Sequence, residues 1–240
     1  MQIFLTLTKD QIKLPIASAR IIQGLIYRAL SSDAEFSEKI HDEGNSFDNR
    51  KYKLMTFSEL KGKYKAEGQF ITYFSKVGLE IRAVDGYVIQ LLFSYFSRNK
   101  YVRLGDNDVE VSDVRLMNNT VFSERLEIRT LSPITAYITE VDGHTKYYSP
   151  DDAEFYSMLR TNAERKWRSC YGEEKFEFSI KKYDGAPFVK RATRFKNTYI
   201  TAWHGRFVVE GTPKVLDFLY NAGIGGKNSQ GFGAFEITDG

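Results

Sequence analysis

QFITYFSKVGLEIRAVDGYVIQLLFSYFSR, residues 69–98, is the stretch on which the fold turns. Two runs rich in β-branched and aromatic residues, FITYFS and GLEIRAV, read as a hairpin over 69–83. A helical pattern follows over 85–98, and residues 101–116 read as a further strand pair. Working back toward the start, residues 18–31 carry a helical stripe and residues 2–8 alternate as a strand. Strand, helix, two strands, helix, strands is the order of a ferredoxin-like βαββαβ unit, in which helices cover one face of an antiparallel sheet.

The polar stretch 117–123, MNNTVFS, offers turn chemistry and no apolar period, so it reads as a linker. Beyond it the pattern restarts. Residues 126–139 are strand-like around Ser132-Pro133, Asp151 or Asp152 caps a helix running to about Arg168, and strands follow at 176–182 and 199–209. Thr212-Pro213 opens a short helix with proline at its first position, and 233–237 is the last strand. The expectation is an α+β protein of two tandem ferredoxin-like domains, 1–117 and 124–240, each with an antiparallel sheet.

With 240 residues, 42% of them apolar, the chain can fill one or two ordinary cores. MQIFLTLTKDQIK at the start alternates and lacks the unbroken apolar run of a signal peptide or membrane span, so a soluble cytoplasmic protein without membrane contact is expected. A single cysteine, Cys170, excludes an internal disulfide and argues against a cysteine-ligated zinc. The net charge of +3 is too mild to demand a nucleic-acid partner. Its distribution says more: Lys181, Lys182, Lys190, Arg191, Arg194, Lys196 and Arg206 face one acid, Asp184, across residues 181–206. Tyr183, Phe188, Phe195, Tyr199 and Trp203 are interleaved with them, offering stacking faces beside cations that neutralise phosphates. A solvated hairpin with its aromatics turned inward fits that pattern equally well.

The sharpest motif is GIGGKNSQGFG at 223–233. A nucleotide phosphate loop would need glycine where Asn221 stands and Ser or Thr where Asn228 stands, and a dinucleotide fingerprint would have to open a helix. Glycine grants positive φ and close backbone approach, so N–H groups of Gly223, Gly225, Asn228, Ser229, Gly231 and Gly233 can face phosphate oxygens while Lys227 adds charge. A tight connector packed under a sheet is the alternative.

The spacing glycine, hydrophobe, glycine, five residues, glycine, hydrophobe, glycine resembles the C-terminal signature of the CRISPR repeat-processing endoribonucleases, the Cas-six family of the RAMP superfamily. QGLIYRAL at 23–30, IHDEG at 40–44, KLMTFSEL at 53–60, LSPI at 131–134, EFYSML at 154–159 and TAWHG at 201–205 are also similar to segments of that family, in the same order. The resemblance implies a metal-independent endoribonuclease, without cofactor, that binds CRISPR repeat RNA and cuts the precursor transcript within each repeat. It further implies 5′-hydroxyl and 2′,3′-cyclic phosphate ends. Tyr27 on the first helix, His41 after it and Lys53 before the second strand match the family's catalytic positions, with Lys51 or Arg50 as alternatives to Lys53. A non-catalytic repeat-RNA-binding subunit would use the same fold, and no RNP-like strand motif points to a general single-strand binder. Assembly into an effector complex and homodimerisation are both left open.

The residues support these roles on their own chemistry. Ile21, Ile22, Leu25, Ile26, Ala29 and Leu30 form one stripe of the first helix, which leaves Tyr27 off it beside Arg20, Gln23 and Ser31. Attack of a ribose 2′-OH on its own 3′-phosphate needs a proton moved near neutral pH, which histidine performs, and a cation for the phosphoryl charge, which lysine supplies. His144, in Asp142-Gly143-His144, reads as a loop residue, and His204 as a hydrogen-bonded structural histidine. His41, Asp42 and Glu43 are adjacent and do not make a metal site.

Overall fold

The computed structural model describes residues 1–32, 45–48, 50–117, 122–195 and 198–238. Its elements form two sheets of the same topology. In the first, β1 (Gln2–Pro15), α1 (Ala19–Leu30), β4 (Met55–Phe57), β6 (Phe70–Ala83), α2 (Gly86–Arg98) and β8 (Asn107–Met117) lie in the order β4-β6-β1-β8, with β7 (Tyr101–Leu104) outside β8 and β5 (Lys61–Glu67) paired to β6. In the second, β9 (Arg125–Thr130), α3 (Ala153–Tyr171), β12 (Phe178–Lys182), β15 (Arg206–Gly211), α4 (Pro213–Ala222) and β16 (Phe235–Ile237) give β12-β15-β9-β16. Both are the two-three-one-four strand order of a ferredoxin-like unit, all antiparallel. The fold is a tandem ferredoxin-like α+β structure.

Hydrophobic periodicity explains the elements. Ile22, Leu25, Ile26, Ala29 and Leu30 of α1 are buried, as are Val88, Ile89, Leu92 and Phe96 of α2, against Ile3, Leu5, Leu7, Leu79 and Ile81 of the sheet. Asp85 caps α2 by accepting from Tyr87 N–H at 2.9 Å, and the Thr212 hydroxyl accepts from Val215 N–H ahead of Pro213 in α4. The second core gathers Phe155, Leu159, Trp167, Phe207, Val209 and Leu219, and takes in Leu54 from just before β4.

Three strands differ from the sequence reading. β1 continues to Pro15 because the register slips between Lys9 and Gln11; the extra residue, Asp10, resets the phase so that Ile12 and Leu14 face the same core as Ile3, Leu5 and Leu7. FITYFS and GLEIRA are one strand, β6, and not a hairpin. Gly78 does not turn the chain: it lies flat in the strand, where a Cβ would stand 2.6 Å from the Phe4 ring. The turn is at Gly68, between β5 and β6. Residues 199–209 split into β14 (Thr198–His204) and β15, in different sheets. Thr130 ties the break, accepting from Gly205 N–H on its hydroxyl and donating its own N–H to Gly205 O.

Additional hairpins decorate this scaffold: β2 (Asn45–Phe47) with β3 (Arg50–Tyr52), β10 (Tyr137–Thr139) with β11 (Thr145–Tyr147), and β13 (Val189–Phe195) with β14. Among the described residues no helix is long and apolar enough to cross a membrane.

Arg82 ties the two halves together. It is 1% exposed, donates to Glu80 Oε1 at 2.6 Å through Nε, and reaches Phe235 O at 2.6 Å and Tyr220 O at 3.3 Å while its guanidinium lies 3.5 Å over the Tyr220 ring. Truncation would strand Glu80 and two carbonyl oxygens in the seam. Arg82→Ala is therefore expected to cost about 3 kcal/mol in urea denaturation, the scale of a buried pair losing one partner; a loss below about 0.5 kcal/mol would show the seam held by packing alone.

Candidate nucleic-acid interface and cleavage site

Tyr27, half-buried, stands on α1 off its apolar stripe, as its place in the sequence suggests. Lys53 follows the β2–β3 hairpin and precedes the buried run 54–58. The fold brings the two together: Lys53 Nζ lies 4.8 Å from the centroid of the Tyr27 ring. Arg50 and Lys51, the alternatives to Lys53, are exposed in β3; the Arg50 charge is felt by Tyr52 and Tyr137. His41 lies outside the described residues.

The β2–β3 hairpin packs on α3, in the other half of the molecule. Asp48 is 3.6 Å from Arg165, and Asn45 Nδ2 donates to Cys170 Sγ at 2.9 Å. The chain therefore leaves α1 in one half, touches α3 in the other, and returns through Lys53 to the first sheet.

The glycine-rich loop, 223–233, lies between these parts. Its backbone needs glycine, most plainly at Gly225 (φ +76°), where a Cβ would meet Thr135 O at 2.6 Å, and at Gly233 (φ +78°), where it would meet Ile224 O at 2.0 Å. A 3-10 turn at Asn228–Gln230 crosses the loop. Gly223, Gly226, Gly231 and Gly233 donate their N–H groups to Leu219, Thr135, Asn228 and Pro133 carbonyls. The glycines thus follow the connector reading: the N–H groups of Gly223, Gly231 and Gly233, expected to face phosphate oxygens, are spent on internal carbonyls, and only Lys227, Ser229 and Gln230 of the loop remain partly exposed. Lys227 Nζ lies 4.7 Å over the Tyr137 ring, and burial draws its pKa down.

Bonds from both halves fix the loop. Gln23 Nε2, one turn before Tyr27 on α1, donates to Ser229 O at 2.8 Å, and Thr56 Oγ1 donates to Phe232 O at 3.0 Å. From the other side comes Lys166 of α3, 2% exposed. Its ammonium donates to Gly223 O, to Gly225 O at 3.3 Å and to Asn228 Oδ1 at 3.1 Å. The Asn228 amide in turn donates to Ile224 O and Phe232 O, each at 3.1 Å. Lys166 does not stand out by motif, whereas Gln23 opens the QGLIYRAL segment, though nothing in that segment gives it a role. The one signal in the sequence is that Lys166 falls in register with Phe155, Leu159, Ala163 and Trp167, a charged residue on the buried stripe of its helix.

The basic hairpin forms as β13 and β14, with Lys190 opposite Trp203 and Arg191 opposite Ala202, so the two bases project to opposite faces. Both are exposed, and Lys190 Nζ lies 5.5 Å over the Trp203 ring. Arg194 belongs to β13 opposite Tyr199, which is 66% exposed, and Lys196 lies outside the described residues. Trp203 is buried and Ile134 bridges to it, so the aromatics divide between packing and solvent. His204 is held as a structural histidine would be: Nδ1 is 2.9 Å from Thr130 Oγ1, and Nε2 is 3.4 Å from Glu59 Oε2 of the first half. Among the described residues no group of three or more His, Cys, Asp or Glu side chains converges as metal ligands would.

Residues 117–237 match the family model described as CRISPR associated protein Cas6, C-terminal. The chain belongs to the Cas6 family. The CRISPR-associated endoribonuclease Cas6 of Pyrococcus furiosus is 26% identical over 235 residues, covering 94% of this chain and 84% of the relative. The CRISPR-associated endoribonuclease Cas6 1 of Methanocaldococcus jannaschii is 26% identical over 245 residues, covering 97% and 91%. Among solved structures, one described as an RAMP protein binding different RNA substrates superposes with a TM-score of 0.85 at 21% identity over the whole of both chains. A CRISPR associated protein Cas6 structure gives 0.81 at 24%, covering 100% of this chain and 99% of that one. The glycine-rich loop and the basic hairpin lie within the Cas6-matched residues; Tyr27 and Lys53 precede them.

Burial lowers the Lys166 pKa from 10.5 to about 7. Between these values the unfolded chain holds a proton that the folded chain has released, so this lysine makes stability rise with pH across the window, at up to about 1.4 kcal/mol per pH unit, and leaves it flat below. In urea denaturation from pH 6 to 9.5, the wild-type free energy minus that of Lys166→Met is expected to climb with pH. A difference independent of pH would show that the amine stays charged throughout.

Proposed function

We propose that the protein binds CRISPR repeat RNA and cleaves the precursor transcript within each repeat by attack of a ribose 2′-OH on its own 3′-phosphate, without a metal ion. The products are a 5′-hydroxyl and a 2′,3′-cyclic phosphate. Membership of the Cas6 family and the endoribonuclease names of the relatives support the substrate class and the reaction. The observation that carries the chemistry is the Lys53 ammonium over the Tyr27 ring, which joins a cation and a phenol from distant parts of the chain beside the glycine-rich loop.

In this reading Lys53 neutralises charge that grows on the phosphoryl oxygens, and Tyr27 orients the attacking hydroxyl or donates a hydrogen bond to the phosphate. His41 moves the proton, as base toward the 2′-OH or as acid toward the leaving 5′-oxygen. These groups supply everything an internal transesterification requires, so the proposal needs no metal. Lys190, Arg191, Arg194 and Lys196 neutralise phosphates along the β13–β14 hairpin, and the partly exposed Lys227 and Ser229 of the glycine-rich loop receive the RNA backbone near the cut, on a frame set by the buried glycines and Asn228.

The test is cleavage of the repeat RNA encoded beside the gene. Cutting should persist in excess EDTA, and a strict divalent-ion requirement for the chemical step would sink the mechanism. A single 2′-deoxyribose upstream of the scissile phosphate should abolish it. His41→Ala should bind the repeat almost normally and cut at least ~100-fold more slowly. Tight binding with no cutting by the wild-type protein would instead identify a non-catalytic repeat-binding subunit.

The hairpin has its own measurement. Lys190→Ala and Arg191→Ala should each weaken repeat binding and reduce the log–log salt slope by about 0.7 for every RNA phosphate that is no longer neutralised. Because the two side chains project to opposite faces, a change in one variant alone would identify the face that meets RNA.

A further inference from the structure

Lys166 takes no part in the reaction proposed above and touches none of the surface bases assigned to RNA, yet it lies under the loop that joins them. We propose that Lys166 is the positioning residue of the glycine-rich loop, holding it from beneath in the shape that admits the RNA backbone without itself touching RNA. The inference rests on the reading of that loop as an RNA-binding element.

The geometry leaves the ammonium little else to do. Its three donors meet three oxygens, Gly223 O, Gly225 O and Asn228 Oδ1, all from the loop. Asn228 passes the constraint on, its amide closing onto Ile224 O and Phe232 O at the two ends of the loop. One ammonium and one amide thereby set the direction of four carbonyl groups within ten residues. Among the described residues no carboxylate pairs with Lys166, so the loop's own dipoles solvate the charge. A loop that merely had to pack could be closed by an apolar side chain of equal length. A charge buried there demands that every oxygen point inward, which fixes where the opposite, partly exposed edge of Lys227, Ser229 and Gln230 stands. That edge is tied to the candidate cleavage site through Gln23 and Ser229 O, one helical turn from Tyr27.

The experiment compares wild-type protein with Lys166→Met, a neutral side chain of similar length. At pH 6, where the folded chain keeps Lys166 protonated, dissociation constants are measured for repeat RNA made uncleavable by a 2′-deoxyribose at the scissile position, at three salt concentrations, and single-turnover cleavage is followed at saturating unmodified RNA. Lys166→Met is expected to raise Kd about 10-fold or more at every salt concentration, because the charge-assisted hydrogen bonds that shape the loop are absent. The log–log salt slope should stay at the wild-type value, because the bases that neutralise phosphates are all retained. The rate at saturation should change by less than about threefold, since the chemical groups remain in place. A Kd within about twofold of wild type overturns the inference, as does a reduced salt slope, which would make Lys166 a phosphate ligand. Should Lys166→Met lack the wild-type circular dichroism spectrum, Asn228→Asp takes its place. It keeps the lysine but sets a carboxylate against it and removes the amide donors, so weakened binding at the wild-type salt slope supports the inference, and wild-type binding or a changed slope overturns it. Failure of the wild-type protein to bind the repeat would remove the proposed function itself; wild-type binding that Lys166→Met leaves unchanged removes only the inference drawn from Lys166.

Discussion

A connection that carries bare peptide groups through the middle of a molecule must find a partner for each carbonyl it buries. In this protein that constraint falls on residues 223–233, where glycines remove the side chains that would otherwise shield the backbone. The network of Lys166 and Asn228 meets it from the second half, while Gln23 and Thr56 meet it from the first. Three of these partners belong to elements fixed by a core, α1, β4 and α3, and the fourth, Asn228, belongs to the loop itself, so the loop's position is set from outside and its closure from within.

The two halves share one topology, and their differences lie in the connections. After the second helix, the first half inserts β7 before its last strand, whereas the second half inserts the glycine-rich loop at the corresponding place. Between the second and third strands the first half turns through β5, and the second extends the basic β13–β14 hairpin. Between the first helix and second strand, the first half sends the β2–β3 hairpin across to α3. Apart from Tyr27 on α1, the described residues proposed for cleavage and RNA binding lie in these connections, and Arg82 joins the two halves beneath them.

The sequence was most legible where a pattern and a core agree. Both ferredoxin-like units, the four helices among the described residues and the place of Tyr27 off the apolar stripe of α1 followed from periodicity. Strand limits were obscured wherever a single residue resets the phase: Asp10 hides the second half of β1, and Gly78 resembles a turn because its reason for being glycine, the Phe4 ring, lies 74 residues away in the chain. The break at Gly205 was hidden because both flanking strands alternate. Lys53 could be placed against Tyr27 only through the resemblance to a family, since nothing local says that a residue after an irregular stretch returns to the first helix. Lys166 was invisible for a different reason. A lysine on an apolar stripe implies a buried partner, and the partner consists of backbone oxygens that sequence does not display.

The bonds around the loop also dictate an order of events during folding. Gln23, Thr56, Thr135 and Lys166 are spread over more than half of the chain, and none reaches the loop until the element bearing it has docked. Bringing together groups so far apart in the chain costs loop-closure entropy, so the loop's full set of bonds requires both halves to be in place. The molecule consequently presents its complete surface only once both halves are folded and joined.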